Sequence, residues 1–127
     1  MIAGLPQADK SLCQKPDLFT LFSIIIGYRQ HLRVVGDSME NTIFDGDLVT
    51  YKKIDSNNPD LEIGDIVVAS HPKIKNKWII KRIYQIHQNK FDLRGDNSLS
   101  SSDSRQWGLI ELNSIVGKVE KVFTKKL

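Results

Sequence analysis

The sequence predicts a mainly β protein, built from coiled or barrel-like antiparallel sheets with one short N-terminal helix. Three observations predict it. Four of the eight glycines stand in Gly-Asp pairs, at Gly36-Asp37, Gly46-Asp47, Gly64-Asp65 and Gly95-Asp96, and Gly-Asp is turn chemistry. The stretches beside these pairs are short and rich in β-branched and aromatic residues, as strands are. No helical periodicity of any length follows residue 40. With 127 residues, 40% hydrophobic and 26% charged, the chain is sized and composed for one soluble core rather than for disorder.

In chain order, the first residues carry Pro6 and Pro16 without periodicity and predict an irregular arm. Residues 18–27 read LFTLFSIIIG and predict a helix of three turns packed on the body of the protein. A spanning helix takes ~20 apolar residues, about twice this run. Arg29 and Arg33 follow at once with no small-residue cleavage site, which argues against a secretory signal. An interfacial helix touching a membrane surface is the sharper alternative. Residues 1–31 are therefore expected to form an arm and a helix, and residues 32–127 the folded domain. Strands are expected at 32–35, 48–54, 66–70, 77–87, 91–94 and 114–123. Residues 55–60, reading DSNNPD, and 97–104, reading NSLSSSDS, read as surface connections.

Several function classes are excluded early. A single cysteine, Cys13, allows no internal disulfide and no cysteine-based zinc cage, which suits a reducing compartment. His31, His71 and His87 lack paired-ligand spacing and read as surface or core histidines, so no metal or other cofactor is expected. The net charge of +3 is too small to establish nucleic-acid binding. Lys73, Lys75 and Lys77, with Lys118, Lys121, Lys125 and Lys126, are more simply a solvated face.

Ser38 stands directly after an apolar strand, where a rigid element can present its hydroxyl to a groove. Capping of its own turn is the bland alternative. A serine nucleophile needs a base, because the hydroxyl is a poor nucleophile until its proton is taken. No histidine lies in a site-like context, whereas Lys81 sits within the apolar strand Trp78-Ile79-Ile80-Lys81-Arg82-Ile83-Tyr84. To serve near neutral pH its pKa must fall by roughly 2–3 units, which burial can supply. Alternation puts Ile79, Lys81 and Ile83 on one face of that strand and Trp78, Ile80, Arg82 and Tyr84 on the other. Both faces carry isoleucine, so the pattern leaves the inner face open, and a lysine snorkelling to solvent remains an alternative.

A third group joins the first two. Gly95-Asp96-Asn97, Ser101, Asp103-Ser104-Arg105 and Gly108, together with Gly36-Asp37-Ser38-Met39 and Lys81-Arg82-Ile83, resemble the boxes of the signal peptidase I family, in that family's order. More closely, the chain is similar to the nickel-type superoxide dismutase maturation proteases, small soluble relatives of that family. That resemblance takes in Gly4-Leu5-Pro6, Val34-Val35-Gly36-Asp37-Ser38-Met39, Gly64-Asp65-Ile66-Val67-Val68-Ala69 with His71-Pro72, Ile80-Lys81-Arg82, and Gly95-Asp96-Asn97 to Arg105.

The resemblance implies a Ser/Lys serine endopeptidase with Ser38 as nucleophile and Lys81 as general base. It implies that Ser101 orients the lysine amine, that Asp103 and Arg105 form a supporting ion pair, and that Gly95, Asp96 and Asn97 form the turn that closes the site. Gly36, Asp37, Met39 and Arg82 belong to the same supporting boxes. Asn41 stands where the family usually has proline, and Gly36 where some relatives carry a hydroxyl residue, leaving the Ser38 backbone N–H as the main oxyanion donor. A thin oxyanion site implies a slow enzyme. The implied partner is a precursor protein, the nickel superoxide dismutase proprotein, cleaved in the cytoplasm without a cofactor. Three other readings are a membrane-associated signal peptidase, a self-cleaving repressor-like regulator using Ala3-Gly4, and a nucleic-acid-binding β-barrel.

Overall fold

The computed structural model describes residues 2–4 and 30–124. The helix expected at 18–27 lies outside the described residues. Eight strands form one antiparallel sheet: β1 (Ile2–Gly4), β2 (Gln30–Val34), β3 (Leu48–Lys53), β4 (Ile66–Ser70), β5 (Trp78–His87), β6 (Lys90–Arg94), β7 (Ile110–Glu111) and β8 (Ile115–Phe123). Their order is β1-β2-β3-β8-β4-β5-β6-β7. The sheet coils without closing fully. β1 meets β5 at the single bridge Ile2↔Trp78, and β6 and β7 run on past it.

Each expected strand is present, with ends moved by at most two residues. Two strands were not expected. Ile2–Gly4, placed by the sequence in an irregular arm, pairs with Val34 and Arg33 of β2. Three residues hold too little pattern to announce a strand; the partners supply the reason. β7 is equally short and is fixed by Lys90↔Glu111 and Phe91↔Ile110.

Two apolar clusters form the core. One holds Leu32, Val34, Met39, Ile43, Val49, Tyr51, Val68 and Ile80; the other holds Val67, Ala69, Ile79, Ile83, Phe91, Leu93, Ile110 and Ile115. β4 and β5 therefore bury both faces, as their nearly unbroken apolar runs require. The face that carries Ile79, Lys81 and Ile83 belongs to the second cluster, so Lys81 projects inward opposite Val67.

Residues 97–104, expected as a loop, contain a 3-10 turn at Ser98–Ser100 and lead into a short helix, α1 (Ser104–Trp107). Asp103 caps α1 in a reciprocal capping box with Gln106. The Asp103-x-x-Gln106 spacing is the sequence signal for this helix, hidden by the serine-rich stretch before it.

Candidate active site

Ser38 sits four residues beyond β2, in a turn whose backbone reverses at Gly36. That glycine has φ +94°, a left-handed conformation that side chains disfavour. Its N–H donates to Asp45 Oδ1 at 2.8 Å. Behind the serine, Met39 is fully buried in the first core cluster. Its carbonyl accepts from the amides of Thr42 and Ile43 at 2.8 and 2.9 Å. The half-buried serine is thus held between a strand end and an apolar anchor. Neither its hydroxyl nor its N–H makes a hydrogen bond among the described residues. The hydroxyl does not cap its turn, and the N–H remains available to an oxyanion.

Lys81, in β5, is 4% exposed. Burial lowers its pKa to about 8; Asp103 pulls the other way, and Arg105 and Lys77 add to the lowering. Its Nζ lies 3.1 Å from Ser101 Oγ, and Ser101 Oγ lies 2.6 Å from Asp103 Oδ2. Burial opposes ionisation of Asp103. Hydrogen bonds from the Arg105 and Ser101 side chains and from the Gly95 and Arg105 amides outweigh it and hold the carboxyl well below the usual carboxylate range. An ionised carboxylate only accepts, so the Ser101 proton points at Asp103 and Ser101 can only accept from Lys81. One N–H of the amine is thereby fixed, and its lone pair is left to face the cavity. That cavity, about 340 Å³, is lined by both Ser38 and Lys81.

Asp103 has no exposure. Arg105 grips it with Nε at 2.9 Å and a terminal guanidinium nitrogen at 2.7 Å, and Gly95 N–H donates to it at 2.9 Å. The next helix residue, Ser104, accepts from Leu93 N–H at 2.9 Å. The serine-rich segment is therefore held at several points.

Gly95, Asp96 and Asn97 fasten this segment to the serine turn. A Cβ on Gly95 would lie 2.6 Å from the Ser38 carbonyl oxygen, so the close approach requires glycine. Asn97 donates from its backbone to Ser38 O at 2.9 Å and from its side chain to Asp37 O at 3.1 Å. Ser100 Oγ donates to Asp37 Oδ1 at 2.6 Å. Asp96 is paired by both Arg82 Nε and a terminal nitrogen, at 2.9 and 2.8 Å, which holds its carboxyl below the usual range. The Thr42 hydroxyl also bonds Asp96. The turn that has Asn41 in place of proline is thus fixed by Thr42, Asp96 and Arg82.

Residues 27–119 of the chain match the family model described as Peptidase S24-like. The chain belongs to the Peptidase S24-like family. A comparison with curated proteins found no match. The S24-like match reaches the level of a Ser/Lys-type serine peptidase or self-cleaving protein, and it covers the whole constellation from Gly36 to Arg105.

Of the twelve residues singled out by the sequence, Gly36, Asp37, Ser38 and Lys81 line this cavity, Met39, Asn97, Ser101 and Asp103 stand behind them through the contacts above, and Arg82, Gly95, Asp96 and Arg105 line a second cavity. Three further residues come with them. His71 and Trp107 line the first cavity, their rings tilted by 53° with centroids 4.5 Å apart, and Ser100 lines it beside Asp37. His71 is therefore at the site, contrary to the expectation that no histidine would be. Its place depends on α1, which carries Trp107 and which the sequence pattern did not announce. Among the described residues no group of His, Cys, Asp and Glu is arranged to hold a metal ion, and no helix is long and apolar enough to cross a membrane.

Proposed function

We propose that this S24-like chain is a serine endopeptidase with Ser38 as nucleophile and Lys81 as general base. The observation that carries the reading is the buried Lys81 amine, directed by Ser101 and opening on the cavity that Ser38 shares. Ser38 Oγ gives its proton to Lys81 Nζ as it attacks the scissile carbonyl carbon. The oxyanion that forms faces the Ser38 N–H. Lys81 then gives the proton to the leaving amine as the C–N bond breaks, leaving an acyl ester on Ser38. Water passes a proton to the same amine, attacks the ester, and releases the acid; the proton returns to Ser38.

The substrate we propose is a precursor protein losing an N-terminal propeptide in the cytoplasm, with the nickel superoxide dismutase proprotein as the candidate from the sequence resemblance. An extended substrate has a place. β1 runs antiparallel to both β2 and β5; beyond its Ile2, β2 ends at Val34 and the chain goes on to Ser38, while β5 continues from Trp78 to Lys81. Among the described residues no strand lies between 35–37 and 79–81, which suits strand addition there.

Self-cleavage is the second reading, since the S24-like match extends to it. Ala3-Gly4 is the dipeptide in question. Gly4 pairs with Arg33, five residues before Ser38 and up to about 16 Å away along a strand. That position favours cleavage of another molecule over cleavage of this bond.

The test is co-expression of the chain with the candidate precursor and reading of the product N-terminus by mass spectrometry. The native chain is expected to trim the precursor, and Ser38→Ala and Lys81→Ala to lose at least about 10³-fold in rate. Trimming at the native rate by either variant sinks the dyad. Shortening of the chain itself at Ala3-Gly4, lost in Ser38→Ala, favours the second reading.

A further inference from the structure

We infer that the far end of the cavity, where His71 and Lys77 face Trp107, is a second recognition subsite that takes an acidic side chain of the substrate; this rests on the peptidase reading above. The strands set its distance from the chemistry. His71 N–H donates to Lys77 O at 2.7 Å across the β4–β5 hairpin, and the next rows of the same face are Ala69 with Ile79 and Val67 with Lys81. Lys77 and Lys81 are four residues apart, about 13 Å at strand spacing. Four extended substrate residues span that length.

The chemistry of this end is one-sided. His71 Nδ1 accepts the amides of Lys73 at 2.9 Å and Ile74 at 3.0 Å. With Nδ1 accepting, the imidazole proton sits on Nε2. Burial, then Lys77 and Lys81, lowers the His71 pKa and keeps the ring neutral. The Nε2–H and the Lys77 ammonium have no acceptor or carboxylate partner among the described residues. Asp37 is the one carboxylate on the described wall; it stands at the Ser38 end and accepts from Ser100. Two donors without acceptors, beside the apolar surfaces of Trp107 and Ile74, fit a carboxylate on a short methylene stem. A basic side chain would meet Lys77.

The inference is tested on the full chain carrying Ser38→Ala, titrated with decapeptides of Ala and Ser that bear a single Glu, Gln or Lys, moved through the third to fifth positions from the centre. The imidazole nitrogens of His71 are followed by NMR, and the native chain is assayed for cleavage of the same peptides. At one position the Glu peptide is expected to bind at least about tenfold more tightly than the Lys peptide, the difference one charge-assisted hydrogen bond makes. The Nε2–H signal of His71 is expected to move with it. His71→Asn keeps an acceptor for the two amides, while its shorter side chain draws the donor back from the Nε2 position; Lys77→Gln removes the charge and leaves that turn untouched. Each is expected to reduce the preference below about threefold. Equal binding of Glu and Lys peptides at every position, or a proton on Nδ1, overturns the subsite. Glu preference in binding with no cleavage by the native chain sinks the peptidase reading and leaves the subsite; cleavage without Glu preference does the reverse.

Discussion

The two segments that meet at Ser38 are held by opposite means. Residues 35–43 are pinned by apolar burial, with Met39 and Ile43 sunk in the first core cluster. Residues 95–107 bury one carboxylate, Asp103, and converge on it from Gly95, Ser101 and Arg105. Apolar anchoring is non-directional and tolerates a change of shape that keeps volume. A buried charge network is directional, and removing one member strands the others. Ser38 is thus mounted on the forgiving segment, and the groups that hold the Lys81 amine on the unforgiving one.

Asp103→Ala puts that contrast under the greatest load. It leaves the Arg105 guanidinium, the Gly95 amide and the Ser101 hydroxyl without their acceptor, and about 3–5 kcal/mol of stability is expected to disappear in urea unfolding. Met39→Leu, on the other segment, is expected to lose less than about 1.5 kcal/mol and to keep its activity. Equal losses in the two variants would erase the contrast.

Lys81→Met comes next, with the opposite sign. The lysine pKa falls from 10.5 unfolded to about 8 folded, so the folded state binds fewer protons between those values and stability rises with pH across that window. Below pH 8 the full penalty of burying the cation applies, up to about 3 kcal/mol, and methionine is spared it. The variant is expected to be the more stable chain at pH 7, and its advantage to shrink toward pH 10.5, as read by thermal melts. In the proposed mechanism the same proton governs turnover, so kcat/KM is expected to climb to a plateau above about pH 8. In Asp103→Asn, where it folds, the acid limb is expected at lower pH, because the Asp103 charge raises the lysine pKa.

Ser101→Ala, which removes one neutral link between the amine and the carboxylate, is expected to lose only about 1 kcal/mol of stability. Its kcat is expected to fall much further than its KM changes. The smallest effect is expected from Thr42→Val, which removes one of three bonds on Asp96 and leaves both from Arg82 in place. Less than about 1 kcal/mol should separate it from the native chain.

Much of this architecture was legible in the residues. The strands expected at 66–70 and 77–87 are largely apolar in their buried parts; the first forms with those ends and the second begins one residue later, at Trp78. The same apolar character hid which way Lys81 points, because a strand buried on both faces has no polar side to mark the exterior. Ser101, Asp103 and Arg105 were legible only through family resemblance, since DSRQ after a run of serines looks solvated until Asp103 closes on Arg105 and Gly95. His71 entered only through the His71-Pro72 pair of the resemblance, with no role at the site. Its significance depends on Trp107, 36 residues further along, reaching the same cavity.

The sheet also sets the order in which the two halves of the site are joined. β8 lies between β3 and β4, so it is the shared neighbour that joins the β2–β3 hairpin, which precedes and follows Ser38, to the β4–β5 hairpin that bears Lys81. Residues 115–123 are synthesised after both hairpins, and they are the last strand of the sheet in chain order. Until β8 is in place, the serine turn and β5 are joined through β1 and the contacts of residues 95–97 with residues 37 and 38, and the sheet between the two hairpins is incomplete.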